Sequence, residues 1–171
     1  MDQDRRNAWG FSLFADDLRS EAGGKVSLMG IYQDDMIFLG VSFPIVLPRF
    51  VVLISYFEIP DSIKSDVTFK VSYIEEANVI AHTLVHRKDI QIKSPPEPSN
   101  EDKPERIFHA RVPLIMSPFP IEQAGPVRVR AHYSDGAILK LGALGIKSIT
   151  IEEWKAQQDK LVEAVQKMEA S

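Results

Sequence analysis

The chain has 171 residues, 44% of them hydrophobic, which suits one domain able to remove roughly 70% of its unfolded surface from water. That fraction excludes wholesale disorder, and a formal net charge of -4 with both signs intermixed excludes a broad phosphate-binding surface. Cysteine is absent, which removes disulfides, thiol chemistry and cysteine-bound zinc.

Residues 1–8 read as a flexible polar arm with no apolar run of secretory length, and no later stretch approaches the roughly 20 apolar residues of a membrane span. The expected location is therefore the cytoplasm. Trp9, Phe11 and Leu13 alternate as in a first strand, and Phe14 to Glu21 breaks that alternation as a turn or helical bend. Gly23 and Gly24 allow a tight reversal into a strand marked by Val26 and Leu28. Gln33-Asp34-Asp35 turns the chain into Met36–Leu39.

Ile45 to Ile59 is the most apolar run. Pro48 removes a ladder donor, so the uninterrupted strand is expected from about Arg49 to Phe57, covered on both faces as a central strand. Val67, Phe69, Val71 and Tyr73 alternate with polar neighbours as a half-buried strand. Val79 to His86 follows, and Ile90 to Ile92 could add a short edge. The proline-rich stretch 93–105 predicts an exposed loop inside the domain. Ile107 to Val112 restarts a strand whose pairing Pro113 limits, and Pro118 and Pro120 favour an extended crossing.

Gly125 to Ile149 holds two strand-like runs around Ser134-Asp135-Gly136, where Asp can bond its own backbone and Gly can take a positive φ. Gly142 and Gly145 predict a bulge or a close backbone approach. Thr150-Ile151-Glu152-Glu153 fits a capping box opening a helix over 150–169, with Trp154, Leu161, Val165 and Met168 near one side. Eight or nine strands and one helix predict an all-β fold: a two-layer antiparallel immunoglobulin-like β-sandwich over 9–149 with a C-terminal amphipathic helix.

The phrase FADDLRSEAGGKVSLMGIY, with Phe119-Pro120-Ile121-Glu122-Gln123-Ala124-Gly125 and RVRAHYSDGAILKLGALGI, resembles a family of small bacterial proteins of unknown function. The resemblance covers most of residues 11–146. It implies a single β-sandwich domain and carries no catalytic residue.

The densest charge lies around one turn, at Asp16, Asp17, Arg19, Glu21 and Lys25. Carboxylates there could cap the turn, meet a partner, bind Mg²⁺ or Ca²⁺, or serve as a general base. The ordered ligands and acidic end of a calcium loop are missing. An ion pair from Arg19 to a nearby carboxylate would tie the segment down. His82 and His86 stand about 13 Å apart on a strand, too far to share one zinc without a bend. No nucleophile elbow, phosphate loop or dinucleotide fingerprint occurs. Arg128 and Arg130, with Lys140 across the hairpin, read as a solvated sheet face.

The expected function is noncatalytic: recognition of a protein partner, or self-association as a homo-oligomer, through Asp16, Asp17, Arg19, Glu21 and Lys25 and through the helix stripe of Trp154, Leu161 and Val165. No cofactor, metal, membrane or known small-molecule ligand is expected. The alternative is a small hydrolytic or metal-binding enzyme built on the acidic 16–21 segment.

Overall fold

In the computed structural model the described residues are 8–59, 66–86 and 107–169, excepting the side chains at 161, 164, 165, 167 and 169. The polar arm, the Ile90–Ile92 edge and the loop at 93–105 lie outside them, except for Ala8 of the arm. Twelve strands and one helix occur among the described residues, more strands than the sequence predicts because three are short pieces of apparent turn or crossing.

The central run forms β6 (Phe50–Glu58), flanked by β1 (Ala8–Ala15) and β9 (Phe108–Met116) in an antiparallel three-stranded sheet. Register aligns Leu13 with Leu53 and Leu53 with Pro113. Pro113 does not end β9, because an outer strand has one side free of pairing and tolerates a missing donor. The second sheet has the order β4-β12-β11-β7-β8, comprising β4 (Asp35–Leu39), β7 (Val67–Tyr73), β8 (Val79–Val85), β11 (Gly125–Tyr133) and β12 (Ile138–Ile149). Its β4–β12 pair is parallel, which departs from the expected all-antiparallel arrangement. The chain between β4 and β12, residues 40–137, is long enough for the crossover a parallel pair requires.

These two sheets share one apolar interior. Phe50, Val52, Ile54 and Tyr56 of β6 face Val67, Phe69, Val71 and Tyr73 of β7 and Val127, Val129 and Ala131 of β11, all buried. Large and small side chains alternate across the β7–β11 register, with Phe69 beside Ala131 and Tyr73 beside Val127. The Tyr56 and Phe69 rings meet edge-on at 5.3 Å, and Phe50 stacks on Phe119 at 4.9 Å. At one end of the interior the Tyr56 hydroxyl donates to the buried Glu58 carboxylate at 2.6 Å and lies 3.1 Å from the Tyr133 hydroxyl.

β1 is a strand as expected, and the large residues at its start face outward. Trp9 and Phe11 are exposed, while Gly10, Ser12 and Phe14 point the same way as the inward residues of β6. Crowding at Gly10 comes from both β6 and β12: a Cβ there would sit 2.5 Å from the Ser55 carbonyl oxygen and 2.9 Å from the Leu141 side chain. At Gly10 a side chain has no room, so Trp9 and Phe11 turn outward, while Phe14 further along the same face is buried in the core. On that outer face Trp9, Phe57 and His109 form a row of parallel rings across three strands, at 5.7 Å and 4.4 Å.

The Asp135 turn forms as its residues predict, with Ala137 N–H donating to the Asp135 carboxylate at 3.0 Å and Gly136 at φ 86°. Pairing between β11 and β12 shifts between Val129 and Arg130, leaving Leu141 as the extra residue of a bulge beside Gly142. The bulge lets the first half of β12 lie against β1 and the second half pair with β4. The helix α1 (Ile151–Glu169) then begins on the expected capping box: Glu153 N–H donates to Thr150 Oγ1 at 3.1 Å and Thr150 N–H donates to Glu153 Oε2 at 2.8 Å. Among the described residues no helix is long and apolar enough to cross a membrane.

Candidate functional site

The predicted bend at 14–21 is instead strand structure: β1 runs to Ala15, and β2 (Asp17–Glu21) pairs with β3 (Lys25–Met29) as a hairpin. Leu18 opposite Leu28 supplies the apolar cross-strand contact that a helical bend would forgo. Between β1 and β2 the Asp16 N–H donates to the Met29 carbonyl at 3.0 Å, and Tyr32 N–H donates to Phe14 at 2.9 Å. Gly30 closes this junction at φ 65°, and a Cβ there would collide with the Asp16 carboxylate.

Opposite this junction stands the corner between β5 (Ile45–Leu47) and β6, where Pro48 interrupts the ladder and Arg49 projects before the buried run begins. β5 pairs only with β10 (Phe119–Ile121), and Ser117, just ahead of β10, donates its hydroxyl to the Pro48 carbonyl at 2.7 Å. Asp16, Asp17, Leu47, Pro48, Arg49 and Ser117 thereby line an open cleft of about 460 Å³.

The cleft is charged but internally matched. Arg49 Nη1 lies 2.5 Å from Asp17 Oδ1, and Arg49 remains 43% exposed. The Arg49 guanidinium holds the Asp17 carboxyl below the usual carboxylate range, burial acts in the opposite direction, and the Leu18 N–H at 2.8 Å adds to the lowering. Tyr32 donates its hydroxyl to Asp16 Oδ1. Burial first, and the neighbouring Asp16 second, push the Tyr32 hydroxyl pKa far up, so it stays a donor. The floor thus offers ionised, hydrogen-bonded groups beside the apolar Leu47 and Pro48, a surface suited to docking a side chain.

The other predicted residues are spread out. Arg19 does pair with a nearby carboxylate, Asp17, at 3.5 Å while 64% exposed, and Arg49 makes the shorter contact to the same carboxylate from across the cleft. Glu21, which accepts the Ser27 hydroxyl, and Lys25 are register partners near the hairpin tip, away from the cleft lining. Trp154 is exposed on α1, and the side chains of Leu161 and Val165 lie outside the described residues. Arg128 and Arg130 are not a solvated face: Arg128 donates to the Ile74 carbonyl at 2.6 Å and Arg130 pairs with Glu76 at 3.2 Å. No histidine lines the cleft. Among the described residues no group of three or more histidine, aspartate or glutamate side chains is placed to hold a metal ion.

Leu47, Pro48, Arg49 and Ser117 of the cleft lining, and Tyr32 bonded to Asp16, are the residues that sequence reasoning missed. Arg49 alone left a signal, as the single charge in the apolar run from Ile45 to Phe57. A charge kept in such a run invites a search for its counter-ion. No family model, curated protein or solved structure matches the chain.

Proposed function

We propose that the chain is a noncatalytic recognition protein, an immunoglobulin-like β-sandwich that docks a protein partner in the cleft between the β1–β2 junction and the β5–β6 corner. The observation that carries this reading is the Arg49–Asp17 pair, ionised, half-exposed and flanked by the apolar Leu47 and Pro48. Such a pair can exchange one internal bond for a charged or polar tip on a partner while the apolar walls shed water. A general base works best with a pKa near the working pH, and Asp17 is displaced in the other direction. The sheets facing each other across one apolar interior support the sandwich, and the resemblance of residues 11–146 to a bacterial family supports a bacterial setting.

The test is affinity capture at near-native abundance with the intact chain and with Arg49→Glu, each checked for unchanged circular dichroism and melting temperature. Loss of a specific partner from the Arg49→Glu sample supports the proposal. The same partners captured by a folded Arg49→Glu protein reject the cleft as the docking site.

A further inference from the structure

The helix α1 leaves the β domain with its described apolar side chains uncovered: Trp154 is 41% and Met168 71% exposed. Most of a helix's stability in a protein comes from packing its apolar face, so the uncovered stripe of α1 calls for a partner. The sequence of the helix specifies which one. Ile151, Gln158 and Val165 fall at one position of a seven-residue repeat, and Trp154, Leu161 and Met168 fall three residues after each. These are the a and d positions of a coiled coil: β-branched Ile151 and Val165 at a and Leu161 at d carry the preference for two strands, and Trp154 and Met168 fill the outer d positions.

We propose that two copies of this chain associate through α1 as a parallel two-stranded coiled coil. Gln158 identifies the occupant. It stands at the central a position, where a foreign apolar helix would bury its amide without a partner. In a parallel pair of identical helices the two Gln158 amides lie side by side, each able to donate and accept. The charges agree with this arrangement. Glu152, Glu153, Asp159, Lys160, Glu163 and Lys167 occupy the b, c and f positions away from the seam. At the positions flanking the seam Lys155 falls opposite Thr150 of the second copy and Val162 opposite Gln157, so like charges do not meet there.

This inference rests on reading the chain as an interaction protein, but its readout is the mass of the purified full-length chain alone. Sedimentation equilibrium across micromolar concentrations should show a reversible dimer, unchanged by Arg49→Glu and dissociated by Leu161→Asp. Gln158→Leu should tighten the dimer by about tenfold or more, because a polar a residue trades stability for register. Since the chain lacks cysteine, Met168→Cys reports orientation directly: parallel helices juxtapose the two thiols and cross-link under mild oxidation. A chain that stays monomeric into the millimolar range overturns the proposal. So does a dimer that survives Leu161→Asp, or one in which Met168→Cys fails to cross-link. Loss of dimerisation with partner capture intact would separate this failure from failure of the cleft.

Discussion

The strands β6, β7 and β11 and the elements β2, β3 and α1 are made from similar letters but face opposite fates. The first set buries alternate side chains almost completely, as with Phe50, Phe69 and Val129. The second set leaves Val26, Met29 and Trp154 exposed. The difference lies in how many layers each element meets. A strand between two sheets has water removed from its inward side chains whatever its neighbours do, whereas a hairpin or helix at the periphery satisfies its backbone locally and keeps its side chains available. Stability should therefore respond to the first set, and association to the second.

The largest effect is expected from Phe50→Ala. Phe50 is fully buried against Phe14 and Phe119, and emptying its place should cost about 3–5 kcal/mol, read as a lowered midpoint in urea. Tyr56→Phe keeps the ring but withdraws a donor from the buried Glu58 carboxylate, for a loss of about 1–3 kcal/mol by the same measurement. Thr150→Ala removes one half of the capping box and should weaken α1 by about 1 kcal/mol. Helical ellipticity should fall while the urea midpoint of the β domain holds; a shift of both together would erase the distinction between the two regions.

Arg49→Ala should give the smallest change in stability, within about 1 kcal/mol, as for other exposed ion pairs. Its signature is a pH profile. The folded pKa of Asp17 is depressed, so its contribution is present above the ordinary carboxylate range and is lost as pH falls through the folded value. Melting temperature against pH should lose part of its acid limb in Arg49→Ala. Superimposable profiles for the two proteins would show that the pair contributes nothing to folding.

What was legible in the sequence follows the same division. The alternation at Val67–Tyr73 and Val127–Tyr133 identified both strands and their buried faces, because each face is set by local periodicity. Thr150 and Glu153 revealed the helix start because both capping bonds span only three residues. Trp9, Phe11 and Leu13 gave the strand but not its buried face, since the crowding at Gly10 comes from Ser55 and Leu141, both distant in sequence. The acidic segment was found, yet its principal counter-ion was not: Asp17 and Arg49 stand 32 positions apart, and periodicity carries no information about such a pair.

The bulge at Leu141 also bears on the order in which the molecule is made. β12 is the last strand to be synthesised, yet it flanks β1 and pairs with β4, both drawn from the first forty residues, and the Lys147–Asp35 bond at 2.6 Å joins positions 112 apart. β1 can pair with β6 as soon as residues 50–58 have emerged, whereas among the described residues β4 gains its strand partner only when residues 145–149 of β12 are made. Closure over such a span is slow, which makes this interval the one in which a chaperone would have the most to protect.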